Sequence, residues 1–147
     1  GQMDTLDQFA GKYVVVVMVA GWCASCNAQA DFLEKIKLDL EKKGRDDFVM
    51  IALNDKSAGD PANQKAMYTC DFGTVCPAKG QPVSYPVLQG TSQFGWTTFI
   101  DTTNGNVKGA KNDCFIYAKD GSLKFKHVGK PTVNLTQFDQ EVRAALK

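Results

Sequence analysis

An unbroken apolar run from Tyr13 to Ala20 (YVVVVMVA) limits how this chain can fold more than any other segment does. Its valines are β-branched and favour extended backbone. The run has no polar alternation, so neither face is offered to water. A central strand buried on both sides is the expectation, and the run is far too short to span a bilayer. A two-residue turn follows, Gly21-Trp22, then Cys23-Ala24-Ser25-Cys26, then a helical pattern that begins near Asn27. A buried strand that becomes a helix across a C-x-x-C places two thiols at a helix N-terminus.

That position changes what a thiol can do. Free backbone N–H groups and the positive end of the helix dipole favour an anion just ahead of the first turn. A thiol of pKa about 8.5 falls to roughly 3.5–7.5 at such sites. Cys23 is therefore the expected nucleophile, and Cys26, in the first turn, lies close enough to resolve a mixed disulfide. Zinc sites share the C-x-x-C spacing but want a second pair, or histidines at ligand spacing. The chain has a single histidine, His127, and no second C-x-x-C. The expectation is a redox dithiol, with no metal and no cofactor.

At 147 residues the chain is long enough for a substantial core, and one domain over residues 1–147 is expected. Lys and Arg number 17 against 16 Asp and Glu, a net charge of +1. Nothing in that balance points to nucleic acid or an anionic membrane as partner. There are five cysteines. Cys70 and Cys76 lie in a loop-like stretch with Gly73 and Pro77, without a helix start that would activate a thiol. A short structural disulfide between them is the natural reading, and it favours a secreted or otherwise oxidising compartment. Two unpaired thiols in a reducing compartment is the alternative. Cys114 is then the unmatched cysteine.

The remaining elements follow from periodicity. Phe32, Leu33, Ile36 and Leu40 recur at helical spacing up to Gly44, a plausible C-terminal stop. Phe48 to Leu53 (FVMIAL) is a second buried strand, so strand, helix and strand form a right-handed unit with a parallel pair. Ala62 to Tyr68 reads as a short helix, Tyr85 to Leu88 as a short extended piece, Phe94 to Asp101 as a short helix or turn, and Asn104-Gly105-Asn106 as a turn. Cys114 to Ala118 and Leu123 to Val128 flank Lys119-Asp120-Gly121-Ser122, a hairpin signal. Strict alternation puts Leu123, Phe125 and His127 on one face. Asn134 caps a last helix, Leu135 to Leu146, whose buried stripe is Leu135, Phe138, Val142 and Leu146.

This order, with the dithiol at the carboxyl end of the first strand, resembles the thioredoxin-like fold. The expected fold class is α/β: a central mixed β-sheet flanked by helices, with an insert containing a loop disulfide. The chain is similar, more narrowly, to the amino-terminal domain of selenoprotein P, from about Val14 to Pro131. The likeness rests on the strand before C-x-x-C, on Phe32-Leu33-Glu34-Lys35 and Leu40-Glu41-Lys42-Lys43-Gly44, and on Tyr85-Pro86-Val87 and Trp96. It continues through Lys111-Asn112-Asp113-Cys114-Phe115-Ile116-Tyr117-Ala118-Lys119-Asp120-Gly121 to His127, Gly129 and Pro131. In that family the first redox position is often selenocysteine; Cys23 stands there. These 147 residues do not include the selenocysteine-rich tail that family uses for selenium transport, so that role is not expected to carry over.

The resemblance also exposes two departures. Thioredoxins hold a cis-proline opposite the dithiol, where this chain has Asp113, as selenoprotein P also has an aspartate. They hold a buried acid where this chain has Val17. Asp113 is therefore expected to face the dithiol, either repelling a thiolate or acting as the missing base. Trp22 is expected to shield Cys23 and touch substrate, and Cys114 is a third thiol that strand direction could bring to the site. His127 is expected to pack and hydrogen-bond rather than catalyse. The functional expectation is a thiol–disulfide oxidoreductase acting on protein or small-molecule thiols and disulfides. The rival is a redox-inactive module of the same fold, serving as a binding surface or an accessory subunit of a larger assembly.

Overall fold

The structure, a computed structural model, describes residues 6–20, 23–54, 83–89, 98–101, 105–108, 111–129 and 133–147. The apolar run forms β1 (Tyr13–Val19), α1 follows at Ala24–Lys42, and β2 is Phe48–Asn54. Short strands β3 (Val87–Gln89), β4 (Thr98–Asp101) and β5 (Gly105–Lys108) precede β6 (Cys114–Tyr117), β7 (Leu123–His127) and α2 (Leu135–Ala145). The main sheet has the order β3-β2-β1-β6-β7. β1 pairs with β2, and β2 with β3, in parallel, while β6 runs antiparallel to both β1 and β7. This is the thioredoxin-like arrangement, a central mixed sheet flanked by helices.

β1 is buried on both faces, as its composition requires. Val15, Val17 and Val19 pack with Leu33, Ile36 and Leu40 of α1 and with Phe138, Val142 and Leu146 at α2. Val14, Val16 and Met18 pack on the other face with Ile51, Phe115 and Tyr117. Phe115 and Phe138 are fully buried, and truncating either to alanine costs about 3–5 kcal/mol.

The helix ends obey their sequence signals. Gly44 takes a left-handed conformation (φ 76°). Its N–H donates to the Glu41 carbonyl at 2.9 Å, and the Arg45 N–H donates to the Leu40 carbonyl at 3.1 Å. These two bonds satisfy carbonyls that the helix leaves open. Asn134 caps α2 by accepting the Gln137 N–H at 3.0 Å. At the hairpin turn Gly121 has φ 84°, and the Asp120 carboxylate accepts the Ser122 N–H at 3.0 Å.

Several sequence expectations are corrected. Thr98–Asp101 is not a helix or turn but a strand, paired antiparallel with β5 in a separate two-stranded sheet. Thr98, Phe99 and Ile100 are β-branched or aromatic and favour extended backbone. Gly105 and Asn106, expected in a turn, begin β5. Leu123 and Phe125 do not share a face. The β6–β7 register shifts between Ile116 and Tyr117, so Ile116 faces Phe125 and Tyr117 faces Leu123. The extra residue, Lys124, makes a bulge that sends the two side chains to opposite sides, Phe125 to the helix side and Leu123 to the other. The proposed Cys70–Cys76 link, the Ala62–Tyr68 helix, Trp22 and Trp96 lie outside the described residues.

A polar junction joins three ends of the fold. Arg45 donates to the Asp47 carboxylate at 2.6 Å and to the Leu146 carbonyl at 2.8 Å. Lys119 pairs with the same carboxylate at 2.7 Å. Hydrogen bonds from Arg45 and then Lys119 hold the Asp47 carboxyl well below the usual carboxylate range. A carboxyl lowered by folding contributes stability above its unfolded pKa, and that contribution is lost as pH falls through the folded value. The urea midpoint should therefore decline as pH drops below about 4, and Asp47→Asn should lower the neutral-pH midpoint while flattening that decline. An unchanged acid limb in the variant would remove Asp47 from this account.

Candidate functional site

The two thiols of C-x-x-C sit at the N-terminus of α1, at the carboxyl end of the central strand. Cys23 is the N-cap, with extended backbone (φ −103°, ψ 107°) and its sulfur accepting the Cys26 N–H at 3.3 Å. Serine, threonine or aspartate oxygen normally fills this position. A sulfur accepts there best as thiolate, because the orphan N–H groups and the dipole reward negative charge. Cys26 lies inside the first turn and is fully buried, while Cys23 is 4% exposed.

Their protonation is driven apart. Burial alone would push the Cys23 thiol up, but hydrogen bonds from Cys26 and Ser25 outweigh it. With the Lys111 charge they hold the thiol below its ordinary value. Burial pushes Cys26 up to about 12, helped by the hydrogen bond to Cys23 and that residue's charge. One thiol is poised to be the anion and the other to keep its proton, the asymmetry that an attacking and a resolving cysteine need.

The loop before β6 reaches this pair through Asn112. Its backbone is left-handed (φ 71°), a conformation asparagine tolerates better than most residues. Its side chain is buried against α1. Nδ2 donates to Cys26 Sγ at 3.4 Å and to Gln29 Oε1 at 3.1 Å. Oδ1 accepts from the Ser25 hydroxyl at 3.4 Å, and that hydroxyl lies 3.3 Å from Cys23 Sγ. Gln29 Nε2 donates to the Asn112 carbonyl at 2.9 Å. Gly129 presses on the same residue: a Cβ at position 129 would come within 2.3 Å of Asn112 Cβ.

Asn112 is the loop residue whose side-chain hydrogen bonds reach the dithiol and its neighbours. The Asp113 carboxylate accepts the Gly129 N–H at 3.1 Å and lies 3.3 Å from Lys126 Nζ. Strand alternation supplies the reason. Cys114 and Ile116 face the helices, Phe115 faces the other way, and Asp113 follows the parity of Phe115. Cys114 joins the same buried cluster as Cys23 and Cys26. It is a free thiol held above its ordinary value by burial and by the Asp113 charge. His127 packs edge-on against Phe138 at 5.2 Å and pairs through Nδ1 with Glu141, as expected. Among the described residues no cluster of His, Cys, Asp and Glu is arranged to hold a metal, and no helix is long and apolar enough to cross a membrane.

Sequence reasoning passed over Asn112 and Gln29. A signal for Gln29 existed: it lies one turn after Cys26 and four residues before Leu33, a polar residue on the stripe facing the core. For Asn112 the signal was weaker, an asparagine just ahead of a buried strand, a residue type that adopts left-handed backbone more readily than most.

The fold is that of thioredoxin-like proteins, and the chain belongs to the redoxin family, whose model matches residues 1–142. It is similar in structure to Xanthomonas campestris peroxiredoxin Q, with TM-score 0.64 and 16% identity over 100% of this chain and 85% of that one. It is also similar to a secreted Mycobacterium tuberculosis disulfide oxidoreductase homologous to E. coli DsbE, with TM-score 0.63 and 14% identity over 94% and 85% of the two chains. A thiol:disulfide interchange protein of the thioredoxin family from Chlorobium tepidum gives TM-score 0.56 and 20% identity over 100% and 88%. At such identities the likeness is one of fold. No curated protein matches the chain, so the comparisons do not support the narrower resemblance to the selenoprotein P domain.

The asymmetry of the pair has a direct readout. Iodoacetamide at mildly acidic pH should modify Cys23 well before Cys26 or Cys114, as read by peptide mass mapping of the reduced protein. Earlier labelling of Cys26 would reverse the assigned roles.

Proposed function

We propose that this protein is a thiol–disulfide oxidoreductase in which Cys23 attacks and Cys26 resolves. The observation that carries the reading is the placement of the pair: Cys23 Sγ caps α1 and accepts the Cys26 N–H at 3.3 Å while Cys26 is fully buried in the first turn, which lowers the Cys23 thiol and pushes Cys26 up. The Cys23 thiolate attacks a substrate disulfide, forming a mixed disulfide and expelling one thiolate. Cys26 then gives up its proton, which neutralises that leaving thiolate, and attacks Cys23 Sγ. The second substrate thiolate departs. The dithiol is oxidised by two electrons and the substrate disulfide becomes one thiol and one thiolate, which takes its proton from water; the reverse sequence oxidises a substrate dithiol.

Membership of the redoxin family supports this chemistry, and so do the disulfide oxidoreductases among the structural neighbours. The substrate class is a protein or small-molecule thiol or disulfide. The role expected of Trp22 from the sequence, next to Cys23 in the chain, is substrate contact. The secreted neighbour agrees with an oxidising compartment, and the Cys70–Cys76 disulfide expected from the sequence would agree with it too. The pieces shared with the selenoprotein P amino-terminal domain fit the same role, with sulfur in place of selenium at position 23.

One observation favours the rival, a redox-inactive binding module: both thiols are buried, Cys23 being 4% exposed. The reduction potential separates the two, because structural disulfides lie below about −300 mV and catalytic ones above it. Cys23→Ser should reduce disulfide turnover to the uncatalysed level. Cys26→Ser should keep the first step and accumulate mixed disulfides that can be isolated and identified. If Cys26→Ser traps nothing and the potential lies below that value, the binding-module reading replaces this one.

A further inference from the structure

We propose that Asn112 is a positioning residue for the resolving step, its side-chain amide holding Cys26 Sγ as the sulfur that must become, or leave as, a thiolate. The proposal rests on the dithiol exchange described above and assigns one of its two half-reactions to a residue outside the C-x-x-C.

The orientation of the Asn112 amide is forced by its neighbours. The Asn112 carbonyl is an acceptor, so the Gln29 atom 2.9 Å from it must be the amide nitrogen. Gln29 then turns its oxygen toward the Asn112 side chain, and the atom 3.1 Å from that oxygen must be Nδ2. The same nitrogen lies 3.4 Å from Cys26 Sγ. A flipped amide would set two oxygens against each other. On its other branch, Oδ1 takes the Ser25 hydroxyl. Cys26 therefore faces an N–H donor and not a lone pair. A donor is of most use to a sulfur that bears charge.

The charged and titratable groups acting on Cys26 are Cys23, from the helix cap, and Lys111, from the loop that carries Asn112. While Cys23 is a thiolate it opposes ionisation of Cys26. When Cys23 becomes part of a mixed disulfide that opposing charge disappears, and the Ala20 backbone hydrogen bond, the Asn112 N–H and the Lys111 charge remain. The donor thus acts when Cys26 must lose its proton and attack Cys23 Sγ. In the reverse direction, a substrate thiolate attacks Cys23 in the Cys23–Cys26 disulfide. The S–S bond breaks with its electron pair on Cys26, and the same N–H receives that charge. The fold holds Asn112 firmly in place for this role: the left-handed backbone, the Gln29 bond and the close approach of Gly129 leave the amide little freedom.

Two variants test it in the full chain. Asn112→Gly keeps the left-handed backbone and deletes the amide. Asn112→Asp keeps the shape and replaces the donor by a carboxylate. Reduced protein is mixed with a small aromatic disulfide, dithiobis-nitrobenzoate, and quenched with acid at intervals. The peptide spanning Cys23 and Cys26 is then weighed as dithiol, mixed disulfide and closed disulfide. Formation of the mixed disulfide should stay within about two-fold of wild type in Asn112→Gly, while its closure slows by about ten- to a hundred-fold and shifts to higher pH. Asn112→Asp should close more slowly still. Closure at the wild-type rate and pH in both variants would overturn the role, as would loss of both steps in parallel. A wild-type protein that never closes Cys23–Cys26 would overturn the oxidoreductase reading along with it.

Discussion

The burial of β1 on both faces is the constraint on which the rest depends. Val15, Val17, Met18 and Val19 have no measurable exposure, so their backbone N–H and C=O groups must be paired by protein. β2 takes one edge and β6 the other. Beyond the last β1–β6 pair the demand continues. The Met18 N–H donates to the Asp113 carbonyl at 2.8 Å, and the Met18 carbonyl accepts the Asn112 N–H at 2.9 Å. Those two bonds bring the loop before β6 to the place where α1 begins. The dithiol and the amide that touches it are thus brought together by hydrogen bonds that a buried strand cannot forgo.

The site combines two levels of electrostatics. The helix terminus acts on Cys23 through backbone N–H groups that any helix of this length would present. Side chains act separately on each sulfur, Ser25 beside Cys23 and Asn112 beside Cys26. The Ser25 hydroxyl has one proton to give. It serves Asn112 Oδ1 while Cys23 is a thiol and is available to Cys23 when that sulfur is charged. The pair is coupled through this network as well as through its own contact. Cys114, buried in the same cluster, is held protonated by burial and by the Asp113 charge, which suits a core thiol more than a reactive one.

Much of this was legible in sequence where a single physical signal dominated. The Tyr13–Ala20 run could only be a doubly buried strand, and α1, β2, β6 and α2 followed from periodicity and caps. Gly44, Gly121 and Asn134 each sit where their backbone or capping preference predicts. Failures came where alternation was counted through an irregularity. The bulge at Lys124 is one added residue, and it moves Leu123 to the face opposite Phe125. Around Asn112, aligning by family pattern chose Asp113, but a left-handed residue just ahead of the strand presents its own side chain to the dithiol.

By itself, then, the sequence determined β1, α1, β2, β6, β7 and the last helix, and that the C-x-x-C lies at a helix N-terminus, and from that place it predicts Cys23 as the better nucleophile. Those properties are local: they depend on β-branching, spacing and the orphan N–H groups of one helix. Tertiary structure alone decided that Asn112 and Gln29 meet at Cys26, that Asp113 turns to Gly129 and Lys126, and that Cys114 joins the same buried cluster as the pair. Residues more than eighty positions apart come within hydrogen-bond distance because β6 must fill the open edge of β1. No local pattern records which side chain of the incoming loop will face the helix.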